Sequence, residues 1–122
     1  MAMMHLSVTD LPYSVDGVAG CVLTVSVTDA DGVAYTSLVR QNFEVRMLID
    51  GATEIELASV DLLEFGKAPN LPSMHGLYAI DALSKGATWS VSNPIFFFLA
   101  VHEDANHGQI VHPISNVSIV LP

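Results

Sequence analysis

The chain contains one cysteine, four basic residues and no segment whose apolar residues recur with a helical period. Each shortage removes a class of protein. With Cys21 alone, no intrachain disulfide can form, so a core must hold the fold. Cys21 lies within Gly20-Cys21-Val22-Leu23, an apolar strand-like setting that suits a buried, inert thiol. Arg40, Arg46, Lys67 and Lys85 form no run and face thirteen acidic residues, for a net charge of −9. Nucleic acid is excluded as a partner, because phosphate recognition needs clustered Lys and Arg. Anionic membrane surfaces are disfavoured for the same reason. The longest apolar run, Ile95 to Val101, is far shorter than the roughly 20 residues of a spanning helix, so no membrane insertion is expected. Met1 to Leu6 has neither the basic start nor the apolar stretch of a signal peptide, and nothing else indicates a compartment.

What is present is apolar and alternating. Just over half of the 122 residues are hydrophobic, enough for one soluble domain spanning 1–122 with a core that needs no staples. Only 14% are charged, so Ser, Thr, Asn and some apolar groups must cover the surface. That composition favours a chain that lives against other copies of itself or within an assembly.

The clearest alternation runs from Cys21 to Thr28. Cys21, Leu23, Val25 and Val27 fall on one face, and Val22, Thr24, Ser26 and Thr28 on the other. Asp29-Ala30-Asp31-Gly32 follows and carries turn chemistry. Val33 to Leu38 reads as a short extended piece. Asn42 to Asp50 reads as a strand with Phe43, Val45, Met47 and Ile49 on one face, closed by Asp50-Gly51. From Thr53 to Phe65 the phase changes: Ile55 and Leu57 face inward first, then Val60 and Leu62. A β-bulge or break is expected near Ala58-Ser59. Gly66 to His75 reads as a surface loop, and Leu77 to Leu83 as a strand. Ala87 to Val91, around Trp89, is extended, and Asn93-Pro94 is a break. Ile95 to His102 is a strand, Glu103 to Gly108 a turn, and Gln109 to Ile114 and Asn116 to Leu121 the last extended pieces. Eight or nine short strands without an intervening helix predict an all-β, two-sheet antiparallel β-sandwich.

Three stretches resemble the immunoglobulin-like or transthyretin-like modules of bacterial multidomain proteins. The first is Leu23 to Gly32 with Leu38 and Asn42-Phe43-Glu44-Val45. The second is Gly76-Leu77-Tyr78-Ala79-Ile80. The third is Phe98-Leu99-Ala100-Val101, a turn, then Gly108-Gln109-Ile110-Val111. The resemblance implies an immunoglobulin-like sandwich with a spacer or adhesion role and no shared catalytic residues. The chain departs from that pattern in having no clear linker at either end.

Several constellations have plain explanations. Asp29, Asp31 and Gly32 begin like a calcium loop, but the twelfth position is Arg40, so an EF-hand is excluded and a turn suffices. His102, His107 and His112 lie five apart around a hairpin. A one-residue slip sends such residues to opposite faces, so they are read as separate, and no metal or other cofactor is expected. No Gly-x-Ser-x-Gly motif occurs, and paired carboxylates such as Glu54 and Glu56 suit a solvated strand face, so no enzyme is read. Trp89 and Tyr35 offer rings for stacking on a sugar, which makes a carbohydrate-binding, lectin-like sandwich the alternative.

The sharpest feature is Ile95-Phe96-Phe97-Phe98-Leu99-Ala100-Val101. In a strand, Ile95, Phe97, Leu99 and Val101 share one face, and Phe96, Phe98, Ala100 and His102 share the other. A two-sheet sandwich buries only one face of each strand. Either a long loop such as Gly66 to His75 folds over this face, or Phe96, Phe98 and His102 are a contact with another protein chain, which is the sharper expectation. The function read from the sequence is a non-catalytic structural or interaction module that forms a homo-oligomer or joins a larger complex.

Overall fold

A computed structural model describes residues 3–49, 53–63, 76–88 and 95–114. The loop from Gly66 to His75, the Asp50-Gly51 turn, Trp89, the Asn93-Pro94 break and the extended piece from Asn116 to Leu121 lie outside these residues.

Eight strands occur among the described residues: β1 (His5–Val15), β2 (Val18–Thr28), β3 (Phe43–Ile49), β4 (Thr53–Ile55), β5 (Leu57–Leu63), β6 (Leu77–Ser84), β7 (Ile95–Glu103) and β8 (Asn106–Pro113). They form two antiparallel four-stranded sheets, ordered β1-β2-β6-β5 and β4-β3-β7-β8. The protein is a two-sheet β-sandwich. Consecutive strands pair two by two within a sheet, and the chain changes sheet between pairs.

Strand β1 carries little apolar alternation to mark it as a strand. Leu6 and Val8 face inward, but Asp10, Pro12 and Ser14 continue the same phase. Its hairpin to β2 is set by Asp16 (φ 51°) and Gly17 (φ 82°). Two successive positive-φ residues make the tight turn whose twist matches that of paired strands. The pairing then runs without a slip from Val15 opposite Val18 to His5 opposite Thr28. Gly20 is required for a second reason. The Tyr13 ring lies across it, and a Cβ there would collide with the ring. The hydroxyl of Tyr13 donates to the Asp81 carboxylate across β2.

The phase change after Leu57 has a structural cause. Strand β4 belongs to one sheet and β5 to the other, and the register of β5 against β6 shifts between Leu57 and Ser59. The chain therefore crosses the sandwich at Glu56 and takes a bulge immediately afterwards. Ile55 and Leu57 keep one phase through the crossing, and the bulge then moves the inward-facing positions by one residue, to Val60 and Leu62. Lys85 marks the crossing with a 2.9 Å bond from its amide to the Glu56 carbonyl.

The piece from Val33 to Leu38 is not a strand, and that expectation is corrected. It forms a single bridge, Ala34 to Thr28, and then crosses between sheets. The backbone there is held by other means. The Asp29 carboxylate accepts from the amides of Asp31 (2.8 Å) and Val33 (2.9 Å), which closes the turn. The buried Tyr78 hydroxyl donates to the Tyr35 carbonyl at 2.5 Å and accepts from the Leu38 amide at 3.2 Å. Gly76, at φ 82°, passes so close to Ala34 that a Cβ would lie 2.7 Å from its methyl. At the other end of the crossing, Arg40 bonds the carbonyls of Val60 and Phe43, each at 2.8 Å, and so ties the two sheets together.

The core fills the space between the inner faces. Cys21, Leu23, Val25, Val27 and Ile80 come from one sheet, and Met47, Ile95, Phe97, Leu99 and Val101 from the other, all with at most 1% of their surface exposed. Buried Ser84 donates to the Ala19 carbonyl at 2.7 Å, and no buried side-chain nitrogen or oxygen among the described residues lacks a partner. One polar pair interrupts the apolar edge where β1 approaches β8: His112 Nε2 lies 2.6 Å from Asp10 Oδ1, with side chains 20% and 11% exposed. It joins one sheet to the other.

Two stability measurements test this arrangement. Phe97→Ala removes the largest fully buried side chain among the described residues and should cost about 3–5 kcal/mol in chemical denaturation. Asp10→Ala leaves His112 without its partner across the sandwich and should cost about 1–3 kcal/mol. A loss near zero for Asp10→Ala would show that the pair does not hold the edge.

Candidate interaction face

Strand β7 lies between β3 and β8 at the middle of its sheet. Its inward residues meet inward residues on both sides: Phe97 is opposite Met47 and His112, and Leu99 is opposite Val45 and Ile110. By the same register the outer face collects Phe96 between Leu48 and Pro113, and Phe98 between Arg46 and Val111. Next come Ala100 between Glu44 and Gln109, and His102 opposite His107. Glu54 joins this face from β4, opposite Leu48.

The face has two ends. At one end Leu48, Phe96, Phe98, Val111 and Pro113 form a contiguous apolar patch across three strands. Phe96 and Phe98 are half-buried by their neighbours, and Val111 is 55% exposed. At the other end the rings of His102 and His107 stack with centroids 6.3 Å apart. Ala100, only 3% exposed, is covered by its neighbours between the two ends. Arg46 and Glu44, opposite Phe98 and Ala100, pair at 2.8 Å, both half-exposed.

The outer face of the other sheet is different in kind. It presents Thr24 and Ser26 from β2 and carboxylates from Asp61 and Asp81, which oppose each other directly. Like charges in that position repel, and the Tyr13 hydroxyl offsets this by donating to Asp81. Burial, then that hydrogen bond and the Asp81 charge, raise the Tyr13 phenol above its ordinary value.

The remaining sequence candidates are dispersed. His112 has its ring between the sheets on Asp10, whereas His102 and His107 point outward, so the three histidines do not converge. Among the described residues, no group of three or more His, Cys, Asp or Glu side chains could hold a metal ion. Tyr35 packs against the core, and its backbone is fixed by Val27 and Tyr78, while Trp89 lies outside the described residues. A hollow of about 500 Å³ is lined by Met3, Met4, His5, Leu6, His107 and Gln109 and borders the histidine end of the outer face. No helix among the described residues is long and apolar enough to cross a membrane.

Sequence alternation pointed to Phe96, Phe98 and His102 but not to Leu48, Val111 and Pro113. These join the patch only through register, which a single strand does not reveal. The Asp10–His112 pair had no local signal either, since its members are 102 residues apart.

Comparisons with family models, with curated proteins and with solved structures gave no significant match.

Cys21 is fully buried, and burial pushes its thiol up from an ordinary 9 to about 12, with the charges of Asp10 and Asp81 adding to the effect. The folded state therefore holds the thiol proton more tightly than the unfolded chain does. The stabilisation from this group is complete below pH 9 and is lost as pH rises toward 12. Native protein at pH 8 should resist iodoacetamide, and denaturant should restore labelling of Cys21. Rapid alkylation of the folded chain would refute the burial.

Proposed function

We propose that this chain is a non-catalytic interaction module. It assembles with itself or with a larger protein complex through the outer face of the β4-β3-β7-β8 sheet. The observation that carries the reading is the outward pair Phe96 and Phe98, set among Leu48, Val111 and Pro113. Each ring is half-buried by its neighbours, and leaving the rest in water forfeits part of the about 1.5–3 kcal/mol that full burial of a large apolar side chain gives. A contiguous patch of this kind, rimmed by Arg46, Glu44 and two histidines, has the anatomy of a contact surface: an apolar centre and a polar margin.

The strand order supports an immunoglobulin-like kinship for the module. Lettered in chain order with β4 as C′, the sheets read A-B-E-D and C′-C-F-G, the arrangement that characterises immunoglobulin-type sandwiches. The carbohydrate-binding alternative draws no comparable support, because Tyr35 is held against the core rather than presented as a platform.

Replacing both rings tests the reading. The Phe96→Ser, Phe98→Ser double variant should keep its β-sheet circular dichroism and its melting temperature while losing self-association or partner binding in sedimentation velocity. Unfolding of this variant would assign the rings to an internal core and overturn the proposal.

A further inference from the structure

We infer that the histidine end of this face is a binding site for a soft monovalent metal ion of the copper(I) class, held by the imidazoles of His102 and His107 and the thioether of Met3. The site is separate from the apolar patch at the other end and does not rest on the reading of that patch.

Register assembles the donors. His102 and His107 oppose each other directly on the β7-β8 hairpin. On the other side of His107, Met3 forms a parallel bridge with it. Directly paired residues project to the same face with their Cβ atoms about 5 Å apart. Met3, His107 and His102 therefore make one row across three adjacent segments of chain.

The place of Met3 in that row is fixed by its neighbour. Met4 is 3% exposed, and its amide donates to the His107 carbonyl at 2.7 Å. Gly108 admits this close approach, since a Cβ there would lie 2.4 Å from the Met4 carbonyl oxygen. With Met4 turned into the core, alternation turns Met3 outward, where it is 56% exposed. Met3 and His107 line the hollow of about 500 Å³ together with His5 and Gln109, so the row borders a space that an ion can enter.

The two rings are spaced for a shared ion. Their centroids lie 6.3 Å apart and their planes differ by 21°. A metal about 2.0 Å from a ring nitrogen lies about 3.2 Å from that ring's centre, so two rings sharing one ion have centres up to about 6.4 Å apart when it is bound linearly, and closer when the angle bends. The observed spacing stands at the open end of that range. Rotation of the exposed His102 side chain narrows it and opens a third position toward Met3.

The donor set selects the ion. Among the described residues no third His, Cys, Asp or Glu completes a site for a harder metal. A thioether is a soft donor that favours copper(I), and imidazole binds copper as well. Zinc draws on thiolate, imidazole and carboxylate instead, and calcium on oxygen. The net charge of −9 and the Glu103-Asp104 pair next to His102 favour the approach of any cation.

Silver(I), a redox-inert stand-in for copper(I), is the probe. Titrated by calorimetry into the full chain in chloride-free buffer, it should bind one equivalent with a Kd of about 10 μM or tighter. In NMR spectra the first equivalent should move the ring C–H signals of His102 and His107 and the methyl signal of Met3, and leave Cys21 and His112 unchanged. Met3→Leu keeps the bulk and removes the sulfur. It should weaken silver binding at least about tenfold while zinc(II), titrated in the same way, changes by less than about twofold. His102→Ala should weaken both metals. Both positions are exposed, so the melting temperature of each variant should match that of the wild type. Weaker silver binding, first-equivalent shifts at Cys21 or His112, or a Met3→Leu chain that binds silver as tightly as the wild type would each overturn the site.

Discussion

A β-strand gives each side chain one of two faces, and β7 has large apolar side chains for both. Phe97 and Leu99 enter the core between the sheets, where Met47, Val45 and Ile110 meet them across β3 and β8. Phe96 and Phe98 are then obliged to point away from that core. No rotamer and no small movement of the strand brings all four rings and branches to one side. The position of β7 at the middle of its sheet follows from its inner residues. The character of the outer face follows from the residues left over.

The other sheet obeys the same rule with different side chains. Strand β2 alternates Cys21, Leu23, Val25 and Val27 with hydroxyl-bearing neighbours, so its outer face is wet and needs no cover. The two sheets therefore share one core while presenting unlike surfaces, one hydroxylated and acidic, the other apolar at one end and aromatic throughout. Polar groups that enter the interior do so with partners. Ser84 reaches the Ala19 carbonyl, Asp10 reaches His112, and the hydroxyl of Tyr78 serves two backbone groups.

Alternation made much of this architecture legible. Strands β2, β3, β6 and β7 announce their inner faces residue by residue, and the phase change between Ile55 and Val60 marked a break that turned out to be a change of sheet followed by a bulge. Strand β1 was hidden because Asp10, Pro12 and Ser14 occupy inward positions, so the period-two signal fades after Val8. The Asp16-Gly17 turn was the available clue to its hairpin. Val33 to Leu38 misled for the opposite reason. It has strand-like composition, but it meets β2 only at one bridge and the Tyr35 amide's bond to Val27, and its other bonds go to the Asp29 turn and the Tyr78 hydroxyl. For the contact face, the two rings on β7 could be read from one strand. The residues that complete it come from β3 and β8 and depend on register, which is settled by the whole sheet.

The Tyr78 hydroxyl sits between the Tyr35 carbonyl and the Leu38 amide, on a ring packed 5.3 Å from that of Phe43. An irregular crossover of this length would ordinarily fray independently of the sheets it joins. Here its amide hydrogen cannot exchange with solvent unless a buried phenol leaves the core, and that phenol belongs to a central strand. The crossover is thereby enrolled in the same cooperative unit as β6. Leu38 should thus share the slow hydrogen exchange of the strand interior, although it belongs to no strand itself.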